Sequence, residues 1–214
     1  FQAYEKKADF TSFSFNATFE NVINMVNKLD IYNQVTIAIP SVVWNEMKKQ
    51  IIEKHDELLL SYKSTISKKL FPEYSIQENP SIDYPDYIKT KIEEYKKEIS
   101  EGLNEVTDIP IASNNRFESI INRAFSKLPP FEGKDKKSDK GFKDALLWEG
   151  ILEFALKHPK SKIIYYSKDT AFGEFLLKEF TENVADSSLF ICKNEYEVKM
   201  QLEKWAKEID KYSY

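Results

Sequence analysis

The sequence predicts an α/β protein with a parallel sheet that helices cover on both faces. Three short runs have strand character, at residues 35–39, 163–166 and 189–192, because each is dense in β-branched, aromatic or other apolar residues. Stretches with apolar residues at helical spacing separate these runs. Strands that alternate with helices pair in parallel, with right-handed crossovers over the sheet.

Helix signals flank the strands. Asn16 is the expected N-cap of the first helix. The apolar positions of that helix recur at helical spacing: Phe19, Val22, Ile23, Val26 and Leu29. Pro40 ends the first strand, and Ser41 is expected to cap a helix that runs toward Leu70. Another apolar helix is predicted to begin at Phe142.

The middle of the chain differs in composition from the rest. Residues 71–85 contain three prolines among polar residues and predict a loop. The stretch at about 86–101 is highly charged with few apolar positions, which predicts an exposed helical arm. We therefore expect residues 1–214 to form a single domain that carries an inserted helical hairpin at about 56–105.

Composition narrows the class of protein further. The 214 residues carry a net charge of −4, which gives no overall attraction to nucleic acid. The single cysteine, Cys192, excludes an internal disulfide and favours a reducing, cytoplasmic setting. Two separated histidines, His55 and His158, exclude a structural zinc site of the usual spacing. No apolar run is long enough to span a membrane, and no signal peptide is visible.

Three acidic residues lie where the ends of predicted elements converge. Glu46 lies early in the helix after the first strand, Asp144 begins the helix near Phe142, and Asp169 follows the strand at 163–166. Ligands of open parallel sheets bind outside the carboxyl ends of the strands. Three acids in one cleft repel each other unless a cation lies between them, and carboxylates suit Mg²⁺ or Mn²⁺. This arrangement favours metal-dependent phosphodiester hydrolysis.

Each acid also has an ordinary structural interpretation. Asp144 at a helix start would complement the helix dipole. Asp169 after a strand would form an Asx turn. Glu46 would be a solvated acid in an early helical turn. Taken singly, these interpretations are favoured, so the hypothesis of a metal site depends on all three acids meeting in space.

Three segments resemble the motifs of PIN-domain nucleases. Residues 39–46, Ile-Pro-Ser-Val-Val-Trp-Asn-Glu, resemble the strand, Pro, helix and Glu motif of that family. Residues 140–148 resemble its third motif in the form Gly-Phe-Lys-Asp-Ala, and residues 166–172 resemble the fourth. The three occur in order on the predicted elements. The likeness covers most of the chain except about 56–105, and the helix-inserted form resembles the DUF4935 branch of PIN-like proteins.

The resemblance implies a three-layer α/β/α fold and cleavage that depends on Mg²⁺ or Mn²⁺, most often of single-stranded RNA. It implies that Glu46, Asp144 and Asp169 are the catalytic metal ligands, and that Ser167 orients an acid or a bound water. PIN domains usually open with a strand that ends in Asp-Thr-Asn, which is absent here, whereas residues 1–4 look like the segment that follows it. We therefore expect the first strand and its Asp to lie upstream of Phe1.

Basic residues near these motifs are candidates for substrate binding. Lys140 and Lys143 belong to a lysine-rich stretch beside the acids and are expected to contact a phosphate backbone, with a solvated loop as the alternative. Asp139 in the same stretch is a candidate supporting acid. Arg123 is a candidate substrate contact because its guanidinium forks onto phosphate, with a surface ion pair as the alternative.

The sequence as a whole favours a metal-dependent endoribonuclease of PIN type, with a role by analogy as a bacterial toxin or defence effector. One alternative is a catalytically inactive PIN-fold module that binds RNA or a protein. A phosphoacceptor receiver domain ranks last, because the acidic pair that would end its first strand is not evident. The expected partners are single-stranded nucleic acid and an inhibitor or effector-complex protein, and the family also allows a homodimer.

Overall fold

Helices and strands alternate along the chain in a computed structural model that describes residues 15, 17–69, 83–101, 105–131 and 141–211. The helices are α1 (Ala17–Lys28), α2 (Ser41–Lys69), α3 (Tyr84–Ser100), α4 (Phe117–Phe125), α5 (Phe142–Lys157), α6 (Glu174–Asn183) and α7 (Glu195–Lys211). The strands are β1 (Thr36–Pro40), β2 (Glu105–Ile109), β3 (Lys162–Tyr166) and β4 (Ser188–Cys192). Short 3₁₀ turns lie at Tyr32–Gln34 and Asn114–Arg116. The predicted α/β class is confirmed, and Asn16 lies outside the described residues.

The strands pair in parallel, as predicted, but in two separate pairs. β1 pairs with β2, with Pro40 opposite Ile109, and β3 pairs with β4, with Tyr166 opposite Cys192. Within the described ranges no strand bridges the two pairs, so the sheet is not continuous there. Both pairs nevertheless contribute side chains to one hydrophobic core. Within each pair, the last residues of the two strands lie opposite each other. The loops that follow the two strands are therefore neighbours.

β2 is a strand that the sequence prediction missed. The prediction assigned its first residue to the end of an inserted helical hairpin. Its residues Val106, Thr107 and Ile109 are β-branched, and Pro110 follows it just as Pro40 ends β1. Glu105 and Asp108 interrupt the apolar run and obscured this signal. The Thr36 hydroxyl donates to the Glu105 carboxylate at 3.0 Å, so one of these acids supports the pairing of β1 with β2.

The core is built around α5. Trp148 and Ala155 of this helix are fully buried, and Gly150 lets the helix approach the loop after β2 closely. A Cβ at position 150 would lie only 3.0 Å from the carbonyl oxygen of Pro110. Gly150 therefore allows α5 to pack closely against the segment that follows β2.

The prediction of an exposed helical arm at about 86–101 does not hold for one face of α3. Ile88 and Ile92 of that helix are buried in the main core, because they lie on the face that packs against α2. The hydroxyl of Tyr95 accepts a hydrogen bond at 2.9 Å from the backbone N–H of Phe15. The charged residues that the sequence shows between these positions lie on the outer face of α3.

Gly141 at the start of α5 has a backbone conformation that other residues strain to adopt. Its φ is 108°, and a Cβ there would lie 2.7 Å from the Cα of Phe131. We expect Gly141→Ala to lower the free energy of unfolding by about 2 kcal/mol, measured by denaturant titration. The matched control is Gly173→Ala, where the added Cβ meets only the Thr170 carbonyl oxygen at 3.7 Å. Equal stability of these two variants would contradict the expectation.

Candidate active site

Ser167 extends the parallel ladder beyond the end of β3. Its backbone N–H donates to the carbonyl oxygen of Cys192 at 3.0 Å, and its side chain is buried. The Ser167 hydroxyl accepts a hydrogen bond from the backbone N–H of Asp169 at 3.2 Å. The ladder therefore fixes Ser167, and Ser167 fixes the turn that carries Asp169.

The Asp169 carboxylate shapes the turn that leads into α6. It accepts a hydrogen bond from the backbone N–H of Ala171 at 2.8 Å, which is the Asx turn that one interpretation of the sequence expected. Phe172, just beyond, is buried and packs against Tyr165 at a ring distance of 5.0 Å. Asp169 itself is exposed, so it lies on a rigid turn at the surface of the carboxyl edge.

The charges of Asp144 and Asp169 both act on the hydroxyl of Tyr165. Burial is the main cause that raises the pKa of Tyr165, a hydrogen bond with Ser167 lowers it, and the charges of Asp144 and Asp169 raise it further. Both carboxylates therefore influence the same phenol. The Tyr165 hydroxyl stays protonated at neutral pH.

Glu46 is tied to the same region through Lys143. The Lys143 ammonium donates a hydrogen bond to the Glu46 carboxylate, and this contact is the main cause that lowers the pKa of Glu46. Gln50 adds a weaker hydrogen bond at 3.4 Å. Lys143 directly precedes Asp144, so α2 and the first turn of α5 meet at this ion pair. Lys143 was expected to contact a phosphate backbone, but here it pairs with one of the three acids.

The expected metal centre of three acids is not assembled in this structure. Asp144 and Asp169 both act by their charge on Tyr165, whereas the Glu46 carboxylate is paired with the Lys143 ammonium. Across the described ranges, no group of three or more His, Cys, Asp or Glu side chains is arranged to hold a metal ion. The carboxylate chemistry of Asp144 and Asp169 suits Mg²⁺ or Mn²⁺. The candidate residues Asp139 and Lys140 lie outside the described residues.

Lys193 is a residue of this region that the sequence analysis missed. It follows β4, and its ammonium donates to the backbone carbonyl oxygens of Asp169 and Phe172. Burial is the main cause that lowers its pKa, which the nearby charges of Asp169 and Glu197 oppose. Through these two hydrogen bonds, Lys193 therefore holds the turn that carries Asp169 next to the end of β4. The sequence signal that could have identified Lys193 is its position directly after the strand predicted at 189–192.

Another acid near a strand end, Asp108 on β2, is committed to structural contacts. Its carboxylate accepts hydrogen bonds from the indole N–H of Trp44 at 2.9 Å and from the Lys96 ammonium at 2.8 Å. These two donors come from α2 and α3. Asp108 therefore joins those helices to the β1–β2 pair, and these bonds occupy both of its oxygen atoms.

Arg123 is not on a surface that faces substrate, which corrects the expectation for this residue. Its side chain is only 4% exposed. The guanidinium donates to the carboxylates of Glu149 and Glu179 and to the carbonyl oxygen of Pro129. The alternative, an ion pair, is nearer to what is observed, although the pair is buried rather than on the surface. The physical reason is that two helices, α5 and α6, each turn a carboxylate toward α4.

Comparison with known proteins adds one finding. A family model described as a PIN domain matches residues 8–172, which is more than half of the chain and includes all three acids. No curated protein and no solved structure gives a match to this chain. No helix in the described part is both long and apolar enough to cross a membrane.

Proposed function

This chain belongs to the PIN domain family, whose members are generally nucleases, and we propose that it is a metal-dependent endonuclease that hydrolyses single-stranded RNA. The observation that carries the proposal is the family match over residues 8–172, which includes Asp144 and Asp169, two acids whose charges both act on the buried Tyr165 hydroxyl. These acids come from two different elements, α5 and the turn after β3, and both lie within the segment that matches the family.

The residues of the proposed site have different roles. Asp144 and Asp169 would hold a divalent cation, either Mg²⁺ or Mn²⁺, with Glu46 as the third carboxylate of the set. A bound cation of this kind supplies an activated water and stabilises the leaving oxygen of a phosphodiester. Ser167 and Lys193 keep the Asp169 turn in place, and Ser167 also forms a hydrogen bond with the Tyr165 hydroxyl.

Positive charge beside the acids supports a phosphate-containing substrate. Lys143 directly precedes Asp144 in the sequence, and the exposed Lys168 directly precedes Asp169. The Lys193 ammonium donates a hydrogen bond to the backbone carbonyl oxygen of Asp169. The net charge of the chain is −4, so any attraction to a phosphate backbone must be local to this edge. The preference for RNA over DNA rests on the family and is open to direct test.

A second candidate function is a catalytically inactive module that binds RNA or a protein. The ion pair between Lys143 and Glu46 favours it, because a lysine ammonium already neutralises one acid of the expected metal set. Binding of a cation at all three acids would require that pair to separate. The two functions therefore differ in whether divalent cations change what the protein does to RNA.

The experiment uses labelled single-stranded RNA and DNA of the same sequence, incubated with the protein and Mn²⁺ or Mg²⁺, with and without a chelator. We expect internal cuts in the RNA that the chelator abolishes. Binding of RNA without cleavage would support the inactive module, and cleavage of DNA alone would overturn the RNA preference.

A role as toxin or defence effector predicts growth arrest when the protein is expressed in bacteria, and no arrest with Asp169→Asn.

Removal of the Lys193 ammonium should weaken the active site without unfolding the protein. We expect Lys193→Met to lower the cleavage rate about 10–100-fold, since residues that orient a metal ligand typically contribute that much. The carbonyl oxygens of Asp169 and Phe172 would lose their donor, and the turn would be less well fixed. The control is Lys199→Met, an exposed lysine of α7 whose partner is Glu203. A Lys193→Met rate equal to that of the control would contradict this role.

A further inference from the structure

Lys143 and Glu46 form an ion pair between two helices at the candidate site. Lys143 lies in the first turn of α5 and Glu46 in the second turn of α2, and they are 97 positions apart in the chain. The Lys143 ammonium binds one oxygen of the Glu46 carboxylate, and the Gln50 side-chain amide donates to the other oxygen at 3.4 Å. One of the three proposed metal ligands is thus already paired with a cation of this chain.

Neither member of this ion pair is buried in the core. The Lys143 side chain is 55% exposed, and the Glu46 side chain is 33% exposed. Ion pairs between solvent-exposed groups shift an equilibrium by no more than about fivefold, because water and salt compete for both charges. The lysine side chain is flexible, and its ammonium carries three rotatable donors. Each member can therefore change its partner without any rearrangement of the core.

The place of Lys143 in α5 requires an anionic partner. The N-terminal end of a helix carries partial positive charge, which disfavours a lysine in the first turn and favours an acid such as Asp144. Glu46, from another helix, supplies the compensating charge in this structure. A phosphate group is attracted both to an ammonium and to a helix N-terminus. Phosphate is therefore the kind of anion that can replace Glu46 as the partner of Lys143.

We propose that Lys143 is a phosphate-binding residue that stays paired with Glu46 until Glu46 binds a divalent cation. Lys143 then exchanges the Glu46 carboxylate for a phosphate of the substrate. This inference rests on the proposed function, in which Glu46 is a metal ligand and the substrate is single-stranded RNA. Separation of one ion pair serves both binding events, so each event strengthens the other by the same factor.

RNA binding in the presence of a chelator tests whether Glu46 keeps Lys143 from phosphate. The measurement is the fluorescence anisotropy of a labelled single-stranded RNA, which is not cut without metal. Glu46→Gln removes the charge that holds Lys143 and should tighten RNA binding about threefold to fivefold. The slope of log affinity against log salt concentration should steepen by about 0.7, the value for one more phosphate contact. Lys143→Met alone should change the affinity less than about twofold, because Lys143 is paired with Glu46 in the unaltered protein.

Double variants separate the effect of Lys143 from a general effect of charge. In a protein that already carries Lys143→Met, Glu46→Gln should no longer tighten RNA binding. Lys168→Met is the matched control, since the exposed Lys168 directly precedes Asp169 as Lys143 precedes Asp144. In that protein, Glu46→Gln should still tighten binding by the full factor. Equal gains with and without Lys143, or no gain from Glu46→Gln, would overturn the proposal.

Titration calorimetry with Mn²⁺ alone tests the exchange from the side of the metal. Lys143→Met should tighten Mn²⁺ binding about threefold to fivefold, because Glu46 no longer has to release an ammonium. Lys143→Arg keeps the charge and should bind Mn²⁺ as the unaltered protein does, and Lys168→Met should change the affinity less than twofold. Equal affinities of Lys143→Met and Lys168→Met would show that Lys143 stays with Glu46 when metal binds, and would overturn the exchange. A protein that binds neither Mn²⁺ nor RNA would instead overturn the proposed function. Thermal unfolding checks that each variant is folded.

Discussion

Asp169→Asn is expected to reduce metal-dependent RNA cleavage at least about a hundredfold, the scale on which a group that stabilises developing charge contributes. Asparagine keeps the volume of the side chain and the oxygen that accepts the Ala171 N–H, so the Asx turn persists. What is lost is the negative charge of the side chain. The measurement is the single-turnover rate of cleavage of labelled RNA in Mn²⁺, with the midpoint of thermal unfolding as a check on folding.

Asp186→Asn is the matched control for this substitution. Asp186 is an exposed acid between α6 and β4, away from the carboxyl edge of the sheet. Its replacement removes the same charge and should leave the rate within about twofold of the original, as surface substitutions away from special features do. If Asp169→Asn cleaved RNA as fast as Asp186→Asn, Asp169 would have no part in the reaction.

The largest effect on stability is expected from Arg123→Met. The substitution leaves Glu149, which is fully buried, and the half-buried Glu179 without their shared cation. Breaking a buried pair in this way costs about 3–5 kcal/mol. For a chain of this size, we expect the unfolding midpoint to fall by roughly 10 °C or more, measured by circular dichroism.

The network around Arg123 explains why the cost should be high. Ser119 donates to Glu149 at 2.7 Å, and the Trp148 indole donates to Glu179 at 2.9 Å. Arg116, at 3.5 Å from the other oxygen of Glu149, is the second cation of the network. These bonds join α4, α5 and α6, so the loss of the guanidinium loosens all three contacts at once.

Two variants act as controls for Arg123→Met. Arg116→Met should cost about 1 kcal/mol or less, because Arg116 is partly exposed and more distant from its partner. Arg123→Met combined with Glu149→Gln should recover part of the stability, since it removes one of the stranded charges. An unfolding midpoint of Arg123→Met equal to that of Arg116→Met would show that the buried network does not hold the helices together.

The sequence predicted the places of Asp144 and Asp169 in the fold, because those places depend on local features, whereas their role as site acids stays a prediction. Asp144 lies in the first turn of a helix with a clear apolar pattern, and Asp169 directly follows a clear strand. In a parallel arrangement these ends lie at the same edge. The expectation that these two acids lie near each other therefore follows from the order of elements alone.

The residues that complete the site depend on long-range packing. Lys193 gains its role because the parallel pairing of β3 with β4 puts the residue after β4 next to the Asp169 turn, which no local pattern specifies. The role of Arg123 depends on where Glu149 and Glu179 point from two other helices. Helical periodicity placed Arg123 on a helix but could not show that two carboxylates face it, so a substrate contact was a reasonable but incorrect expectation.

The central claim is that Asp144 and Asp169 together bind a divalent cation. Titration calorimetry of Mn²⁺ into the protein, and into the double variant with Asp144→Asn and Asp169→Asn, tests it without any substrate. We predict saturable binding by the protein and loss of that binding in a double variant that is still folded. Equal binding by the two proteins, or no binding by either, would contradict the claim.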